Sequence, residues 1–509
     1  INYWKLQPEM TGIEAAWSGD SGEYKLYKNY AREIMGDDIG AIFKLGNLAP
    51  GAEVVVKVGI SYVSMENARR NLDAEVGKRD FDSVCEAAKA KWNEALGRIR
   101  VEGGTEEEHT IFYTALYHSL LHPNIVSDVN GEYPAMESGA TGLAVGYDRY
   151  TVFSLWDTYR NVHQLLPLAY PEVQTDMIRS MGAMSKEWGW LPRWELYGRE
   201  TFTMEGDPSI PVITDTLLKG LRDFDIETAY EAFVKSATTP GAQNLMRPDI
   251  DPYLAEGYVP LGLYSADASG DNSVSHALEY YIADYALSLL AEDLGHTEDA
   301  VRFRAQSLQY KHYYCPAFGT LRPLNADGSF LEPFNPRQGE NFEPVPGFHE
   351  GSAWNYTFFV PHDVYGLAKL MGGNKAFVKK LQRVFDEGLY DPANEPDIAY
   401  PYLFSYFKGE EWRTAKLVSQ LLDRHYTTEA AGLPGNDDTG TMAAWAVFSM
   451  MGFYPDCPGD PSYTLTTPRF DRIEITLDPQ FGYGRDKLVL TKGSHMKGRI
   501  SHTDLVNHP

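Results

Sequence analysis

The sequence predicts a mainly α protein with a β-domain, and three observations carry that expectation. Residues 1–63 read as strands: Leu26-Tyr27, Ala41-Ile42-Phe43 and the run 54–63 are β-branched or period-two stretches separated by Gly, Asp and Asn turns. From Ser64 the apolar period becomes helical, first in a connector over 64–105 and then in a long succession of helical patterns over 106–455. Past Gly452-Phe453-Tyr454-Pro455 the alternation of strands returns over 456–509. The expected layout is a partial β-sandwich-like domain, a helical linker, six helical hairpins closed into an α/α barrel, and C-terminal β-strands. An irregular helical bundle is the structural alternative.

The first segment is short for a sandwich and reads as the end of a β-domain. Ser64-Met65-Glu66-Asn67 starts the connector with a residue suited to capping a helix, and 81–99 continues it with Ala, Lys and Glu. After a short strand at Arg100-Val101-Glu102, helical patterns fall at 106–122, 155–168, 172–187, 210–220, 226–236, 272–294, 297–313, 352–370, 374–386, 399–407, 410–424 and 439–452. The loops between them are rich in Gly, Pro and Trp, and loops on a rigid scaffold are where functional residues concentrate. The late strands, around Tyr463-Thr464-Leu465, 472–477 and Lys487-Leu488-Val489-Leu490, are expected to pair with the N-terminal β-domain, because an isolated two- or three-stranded tail is only marginally stable.

Composition narrows the function. The 509 residues, 43% hydrophobic and 13% aromatic, suffice for a large core and an enzyme-sized protein. Ten Trp and 33 Tyr suit sugar stacking as well as a big helical core. A net charge of -26 argues against a nucleic-acid partner, which needs a basic footprint. Cys85, Cys315 and Cys457 have no C-x-x-C spacing, so neither a zinc site nor a disulfide framework is indicated. No run approaches the length of a membrane span, and the opening residues show no charged and apolar leader, so the start reads as processed or trimmed. Nothing in the sequence addresses the oligomeric state.

Five stretches carry candidate chemistry. In 432–445, two glycines and a proline make a tight loop bearing Asn436, Asp437 and Asp438 just before an apolar helix; the acidic residues either face a cleft or cap that helix. Trp156 and Asp157, in Ser154-Leu155-Trp156-Asp157-Thr158-Tyr159-Arg160, offer a stacking face and an acceptor for vicinal hydroxyls, or else a core Trp and a cap. The stretch 188–205 holds Trp188, Trp190, Arg193, Trp194, Glu195, Arg199 and Glu205, aromatic bulk that exposed loops seldom carry unless they line something; Trp190 and Arg199 are its candidate sugar contacts. Glu350 stands before an apolar helix containing Trp354, where desolvation raises a carboxyl pKa and prepares proton donation, or where a helix dipole simply stabilises the carboxylate. The oxygen-rich Tyr390-Asp391-Pro392-Ala393-Asn394-Glu395-Pro396-Asp397 suits calcium or a Pro turn. Together Glu350 and Asp438 fit the paired carboxylates of glycoside hydrolysis.

The segments SLWDTYR, EGSAWNYTFFVPHD, NEPDIAYPYL and GNDDTGTMAAWAVFSMMGFYP, in this order, resemble glycoside hydrolase family 92, the calcium-dependent exo-acting α-mannosidases. The resemblance runs from about Lys57 to Leu505. It implies a β-sandwich packed on a six-hairpin α/α barrel, inversion at the anomeric centre, and one Ca2+ at the floor of the site. It also implies Glu350 as general acid and Asp438 as general base, with Asp437 and Asn436 as candidates for assistance. The family often has Asp where this chain has Asn436. Asn394 and Glu395, with Asp438, are the implied metal ligands, and Trp156, Asp157 and Trp354 belong to the implied sugar pocket.

Members that cut α-1,2 bonds tend to carry His-Glu before the N-E-P, whereas this chain has Pro392-Ala393, so other linkages come forward. Relatives acting on mannose-1-phospho-6-mannose are associated with loss of the acid, and Glu350 is present. The implied substrate is therefore a terminal α-mannoside of an N-glycan or mannan, and the implied location is periplasmic or secreted. The rival readings are the phosphodiester hydrolase, a carbohydrate-binding homologue without turnover, and a trehalase-like or glucoamylase-like barrel, which accounts for the architecture but not the ordered motifs.

Overall fold

The computed structural model describes residues 2–5, 25–28, 39–42, 45–263, 271–340, 343–481, 483–493 and 498–507. The chain divides into two compact units, Ile1–Val58 and Gly59–Pro509. In the first, Asn2–Lys5 is the central strand of a three-stranded antiparallel sheet, flanked by Lys25–Lys28 and Ile39–Ile42. The strands expected at Leu26-Tyr27 and Ala41-Ile42 are therefore present, while Phe43 lies outside the described residues. The run 54–63 is irregular rather than a strand, and it exposes Val55, Val56, Val58 and Ile60. Apolar β-branched residues alone do not make a strand, which also needs a neighbouring chain along its length.

The second unit is mainly α. Ser64 caps the helix Met65–Glu75 by accepting from the Asn67 N–H at 3.1 Å, and Asp80 does the same for Phe81–Leu96. Thr105 and Glu108 form a reciprocal capping box on Glu106–His118. Val162–Ala169, Ser209–Leu218, Ser273–Asp293 and Thr441–Met451 bury nearly all or all of their residues. Burial on every side is the pattern of a helix enclosed by others. Ile226–Thr238, Asn374–Asp386 and Glu411–His425 bury a single face, so they form an outer layer.

Proline decides several boundaries. The pattern at 352–370 breaks into Ala353–Thr357, Pro361–Asp363 and Val364–Leu370, because Pro361 has no N–H to continue the ladder. The stretch expected as a helix at 399–407 is the tighter 3₁₀ form over Tyr400–Tyr406, with Pro401 in its first turn. Ile250–Glu256 is a helix that the sequence pattern does not single out.

The late strands correct one expectation. Arg472–Thr476 lies between Lys487–Thr491 and Ile99–Glu102 of the connector, with Ile473 opposite Val101 and Ile475 opposite Ile99. Ser462–Leu465 lies between Phe453–Tyr454 and Arg499–Ser501. Their partners are thus the connector strand, Phe453–Tyr454 and each other, and among the described residues none is a strand of 1–63. The reason is the shared buried face: Ile99, Val101, Ile473 and Ile475 are all buried.

Inside the helical unit, Arg247 is fully enclosed and bonds Asp207 at 3.0 Å and Asp284 at 2.8 Å, tying the loop before Ser209–Leu218 to the long helix Ser273–Asp293. All three cysteines are free, with Cys315 and Cys457 buried. Among the described residues no helix is long and apolar enough to cross a membrane.

Two buried histidines make the fold acid-sensitive. His163 Nδ1 lies 3.0 Å from Gln174 Oε1 and His362 Nε2 lies 2.8 Å from the Ser307 carbonyl. The other ring nitrogen of each is buried without a hydrogen-bond partner. Burial pushes both down to about 4 from 6.5. The unfolded chain therefore binds more protons between those values, so the stabilisation is complete above the unfolded pKa and is lost as pH falls toward about 4. Each histidine should contribute on the order of 1–3 kcal/mol. Urea midpoints taken from neutral pH downward should decline across this window, and His362→Gln should flatten the profile; an unchanged slope in that variant would rule His362 out as a source.

Candidate active site

Four segments converge on one group of carboxylates. The strand Phe153–Ser154 pairs with Trp194–Leu196 and leads directly into the short helix Leu155–Thr158. This places Trp156 and Asp157 in the interior, at 1% and 2% exposure. The Ser154 hydroxyl donates to Asp157 Oδ2. Beneath them Arg160 donates from Nε to the Trp156 carbonyl at 3.0 Å and from Nη2 to Glu279 at 2.8 Å, with its guanidinium 4.6 Å from the Trp156 ring.

Asn394 joins two of the segments. Its Oδ1 accepts the Glu395 N–H at 3.0 Å, which starts the turn Glu395–Asp397, and its Nδ2 donates to the Glu350 carbonyl at 2.8 Å. Glu350 has φ of +48° and a side chain 34% exposed. The cap of the next helix is Ser352, paired with Asn355, so Glu350 stands outside the helix rather than on its first turn. His349 Nε2 is 3.6 Å from Glu350 Oε1. The His349 ring is held by Asn272 at 3.1 Å, and its carbonyl accepts from the Tyr356 hydroxyl at 2.6 Å.

The loop before Thr441–Met451 divides its two acids. Gly440 is the N-cap residue and has no side chain to offer, so Asp437 Oδ1 accepts the Ala443 N–H at 2.9 Å in its place. Asp437 Oδ2 is 3.6 Å from His118 Nδ1. Asp437 thus takes the capping role, and Asp438, at φ of +46°, turns toward the other carboxylates. Asp157, Glu395 and Asp438 each bring one oxygen within 4.8 Å of the others.

This grouping is electrostatically costly. Burial pushes the Asp157 carboxyl well up, the Ser154 hydroxyl opposes that, and the charge of Asp438 and then of Glu350 pushes it further. Burial, then Asp157 and Asp438, likewise push Glu395 well up. Asp438 is raised by burial and shares a hydrogen bond with Glu395. One oxygen of Glu395 is buried without a hydrogen-bond partner. Hard oxygens crowded in this way, one of them unsatisfied, are the donor set that a calcium ion accepts.

The structure thus brings together Glu350, Asp438, Glu395, Asn394, Asp157 and Trp156. Asp157, expected in the sugar pocket, is also the third member of the carboxylate group, and Asn394, expected as a ligand, has both ends of its amide engaged in bracing Glu350 and Glu395. Trp354 is 2% exposed and lies under Arg383, so it is packing rather than an open stacking face. Trp190 is buried beneath Lys235, and Arg199 is exposed beside Glu137 at 3.5 Å. Asn436 is exposed on the loop. Arg160, Glu279 and His349 are supporting residues that residue-type reasoning did not assign; the Arg of SLWDTYR and the His directly before Glu350 were the available signals.

The division of labour between the adjacent acids is testable. With all proteins melted in EGTA, Asp437→Ala should lose about 1 kcal/mol of stability as the helix loses its cap, Asp437→Asn should retain most of it, and Asp438→Asn should melt no lower than the metal-free parent because it removes one buried negative charge. Calorimetric melting of the three variants decides the point, and a lower Tm in Asp438→Asn alone would reverse the assignment.

The comparisons with known proteins identify the family. Residues 67–502 match the glycosyl hydrolase family 92 catalytic domain. A family 92 α-mannosidase of Bacteroides thetaiotaomicron is 30% identical, with TM-score 0.78 over 88% of this chain and 60% of that one. An inverting family 92 mannosidase of the same organism is 27% identical, with TM-score 0.77 over 87% of this chain and 64% of that one. An uncharacterized secreted glycosidase of Arthroderma benhamiae is 27% identical over 83% of this chain and 53% of its own length. The chain therefore spans between about half and two thirds of the length of these relatives. With the catalytic-domain match covering residues 67–502, the chain belongs to glycosyl hydrolase family 92.

Proposed function

We propose that this chain acts as an exo-acting, inverting α-mannosidase on terminal α-mannosides of N-glycans or mannans. The observation that carries the reading is the convergence of Asp157, Glu395 and Asp438 within 4.8 Å, with Glu350 braced beside them through Asn394. The α-mannosidase activity named for two of the solved relatives, one of them inverting, supports it. In this reading the two layers of helices, an enclosed set and a set buried on one face, are the inner and outer rings of a six-hairpin α/α barrel, and the strands of 2–42 belong to a β-sandwich-like domain. The secreted relative favours a periplasmic or secreted setting.

Glu350 protonates the oxygen of the leaving group, and Asp438 takes a proton from the water that attacks the opposite face of the sugar. Inversion requires the two carboxyls roughly 6.5–9.5 Å apart so that this water fits. Asp157, Glu395 and Asp438 would hold Ca2+, and a carboxylate has two oxygens, so Asp438 can share the ion and still act as a base. When bound, the ion supplies a Lewis-acidic anchor for sugar hydroxyls. Trp156, Arg160 and Glu279 form the buried support beneath Asp157, and they keep bulk water away from it. The resemblance associates His-Glu before the N-E-P with α-1,2 cleavage, and Pro392 and Ala393 standing there instead support a preference not confined to α-1,2 bonds.

Release of mannose from α-1,2, α-1,3, α-1,4 and α-1,6 mannobioses should require calcium and stop in EGTA. Glu350→Gln should slow these substrates by about 10²–10⁴-fold yet spare α-mannosyl fluoride, whose leaving group needs no proton. Asp438→Asn should lose both. The first-formed product should be β-mannose by NMR. Full activity in EGTA would refute the calcium assignment, and release only from mannose-1-phospho-6-mannose would replace the glycosidic reading.

A further inference from the structure

A run of buried polar contacts ends on the acid. Glu205, fully enclosed on the loop before Ser209–Leu218, accepts the Ser275 hydroxyl at 3.0 Å, with the Asn272 carbonyl a second acceptor at 3.1 Å. Ser275, in the first turn of Ser273–Asp293, takes the His349 N–H on the same oxygen at 3.1 Å. The Tyr356 hydroxyl holds the His349 carbonyl at 2.6 Å, and Asn272 holds the ring at Nδ1 at 3.1 Å. Backbone and ring of this buried histidine are therefore fixed from three sides, and the ring stands edge-on to Trp156 at 6.2 Å. On the fourth side is Nε2, 3.4 Å from Met204 Sδ and 3.6 Å from Glu350 Oε1.

These partners decide the tautomer. A thioether has no hydrogen to give, so the nitrogen facing Met204 carries one. Nδ1 then accepts from the Asn272 amide, in agreement with the 3.1 Å contact from Asn272 Nδ2. The neutral ring thus presents an N–H toward Glu350 Oε1. A carboxyl oxygen that faces a donor is the accepting one, which leaves the proton of the acid on Oε2. At 3.6 Å the contact is longer than a hydrogen bond, and contacts to catalytic groups tighten once substrate is bound. The Glu350 backbone is held on its other side too: Asn394 donates to its carbonyl at 2.8 Å, and its φ of +48° lies between two clamped carbonyls.

We propose that His349 is a positioning residue for the general acid, presenting Nε2–H to Glu350 Oε1 so that the proton is held on Oε2 for the leaving-group oxygen, with Ser275 and Glu205 holding His349 for this task. This role rests on the glycosidase reading above. As the Glu350 O–H bond breaks and the new O–H bond forms on the departing sugar, the negative charge left on the carboxylate meets Nε2–H. No bond is made or broken at His349.

The signature of such a role is a loss that depends on the leaving group. In His349→Phe, which keeps a flat ring but lacks the N–H, kcat on the preferred mannobiose should fall about 10–100-fold, while kcat on α-mannosyl fluoride stays within about twofold of the parent. His349→Gln, with an N–H at the end of its side chain, should recover most of the loss. Ser275→Ala should show the same selectivity at smaller size, and it decides the matter if His349→Phe does not fold. Nitrogen-15 NMR of histidine-labelled enzyme, assigned by the signal lost in His349→Gln, should find the hydrogen on Nε2. Equal losses on both substrates would make His349 a purely structural residue, unchanged rates on both would detach it from the acid, and a hydrogen on Nδ1 alone would overturn the tautomer that the role requires. If Glu350→Gln were selectively impaired but neither the His349 nor the Ser275 variant were, only this proposal would fall. If the parent released mannose from neither substrate, the glycosidase reading would fall and take this role with it.

Discussion

Asp157, Glu395 and Asp438 place like charges within 4.8 Å of one another in a largely enclosed site. At an effective dielectric near 20, each such pair opposes folding by about 3 kcal/mol if both members are ionised. Something must neutralise the group, either a shared proton or a cation. The molecule supplies one buried positive charge nearby, the Arg160 guanidinium, but commits it to Glu279 at 2.8 Å. Arg160 still lowers the carboxyls of Asp157 and Glu395, although burial and their mutual charge outweigh it. The remaining deficit is what a metal ion held by these three carboxylates would offset.

Holding such a group open takes a stiff frame. Thr441–Met451 is buried throughout, so the loop at its N-terminal end starts from a fixed point. That loop can then carry unfavourable backbone: Asp438 and Thr439 both have positive φ, as does Glu350 across the site. A left-handed non-glycine residue costs about 1–2 kcal/mol. Close-packed helices supply that from burial elsewhere, and the Glu350 and Asp438 carboxylates end up aimed rather than merely present. Asn394 completes the frame, because one amide side chain fixes the Glu350 backbone and the Glu395 turn at once.

Most of the helices were legible because the 3.6-residue period is a local property of the chain. Met65–Glu75, Glu106–His118 and Asn374–Asp386 carry their own caps or amphipathic stripe, and their limits follow from a few adjacent residues. The run 54–63 misled for the complementary reason: whether β-branched residues become a strand depends on a partner remote in sequence. The partnership of Arg472–Thr476 with Ile99–Glu102 was illegible on the same grounds. In the site, the motif residues Glu350, Asp438 and Glu395 stood out by type and position, whereas Trp190, Arg199 and Trp354 stood out only by type. Aromatic and basic side chains serve equally as packing, and Trp354 under Arg383 is packing.

The sequence by itself determined the mainly α class, the ordered motifs that place the chain in its family, and the short list of acids, because each of these is carried by neighbouring residues. Only the tertiary structure decided which acid does what. Asp437 and Asp438 are adjacent and identical in type, and one became a helix cap because Gly440 cannot be, leaving the other to join Asp157 and Glu395. Those three residues are hundreds of positions apart or on separate loops, and charge acts through distance in space, which chain order does not record.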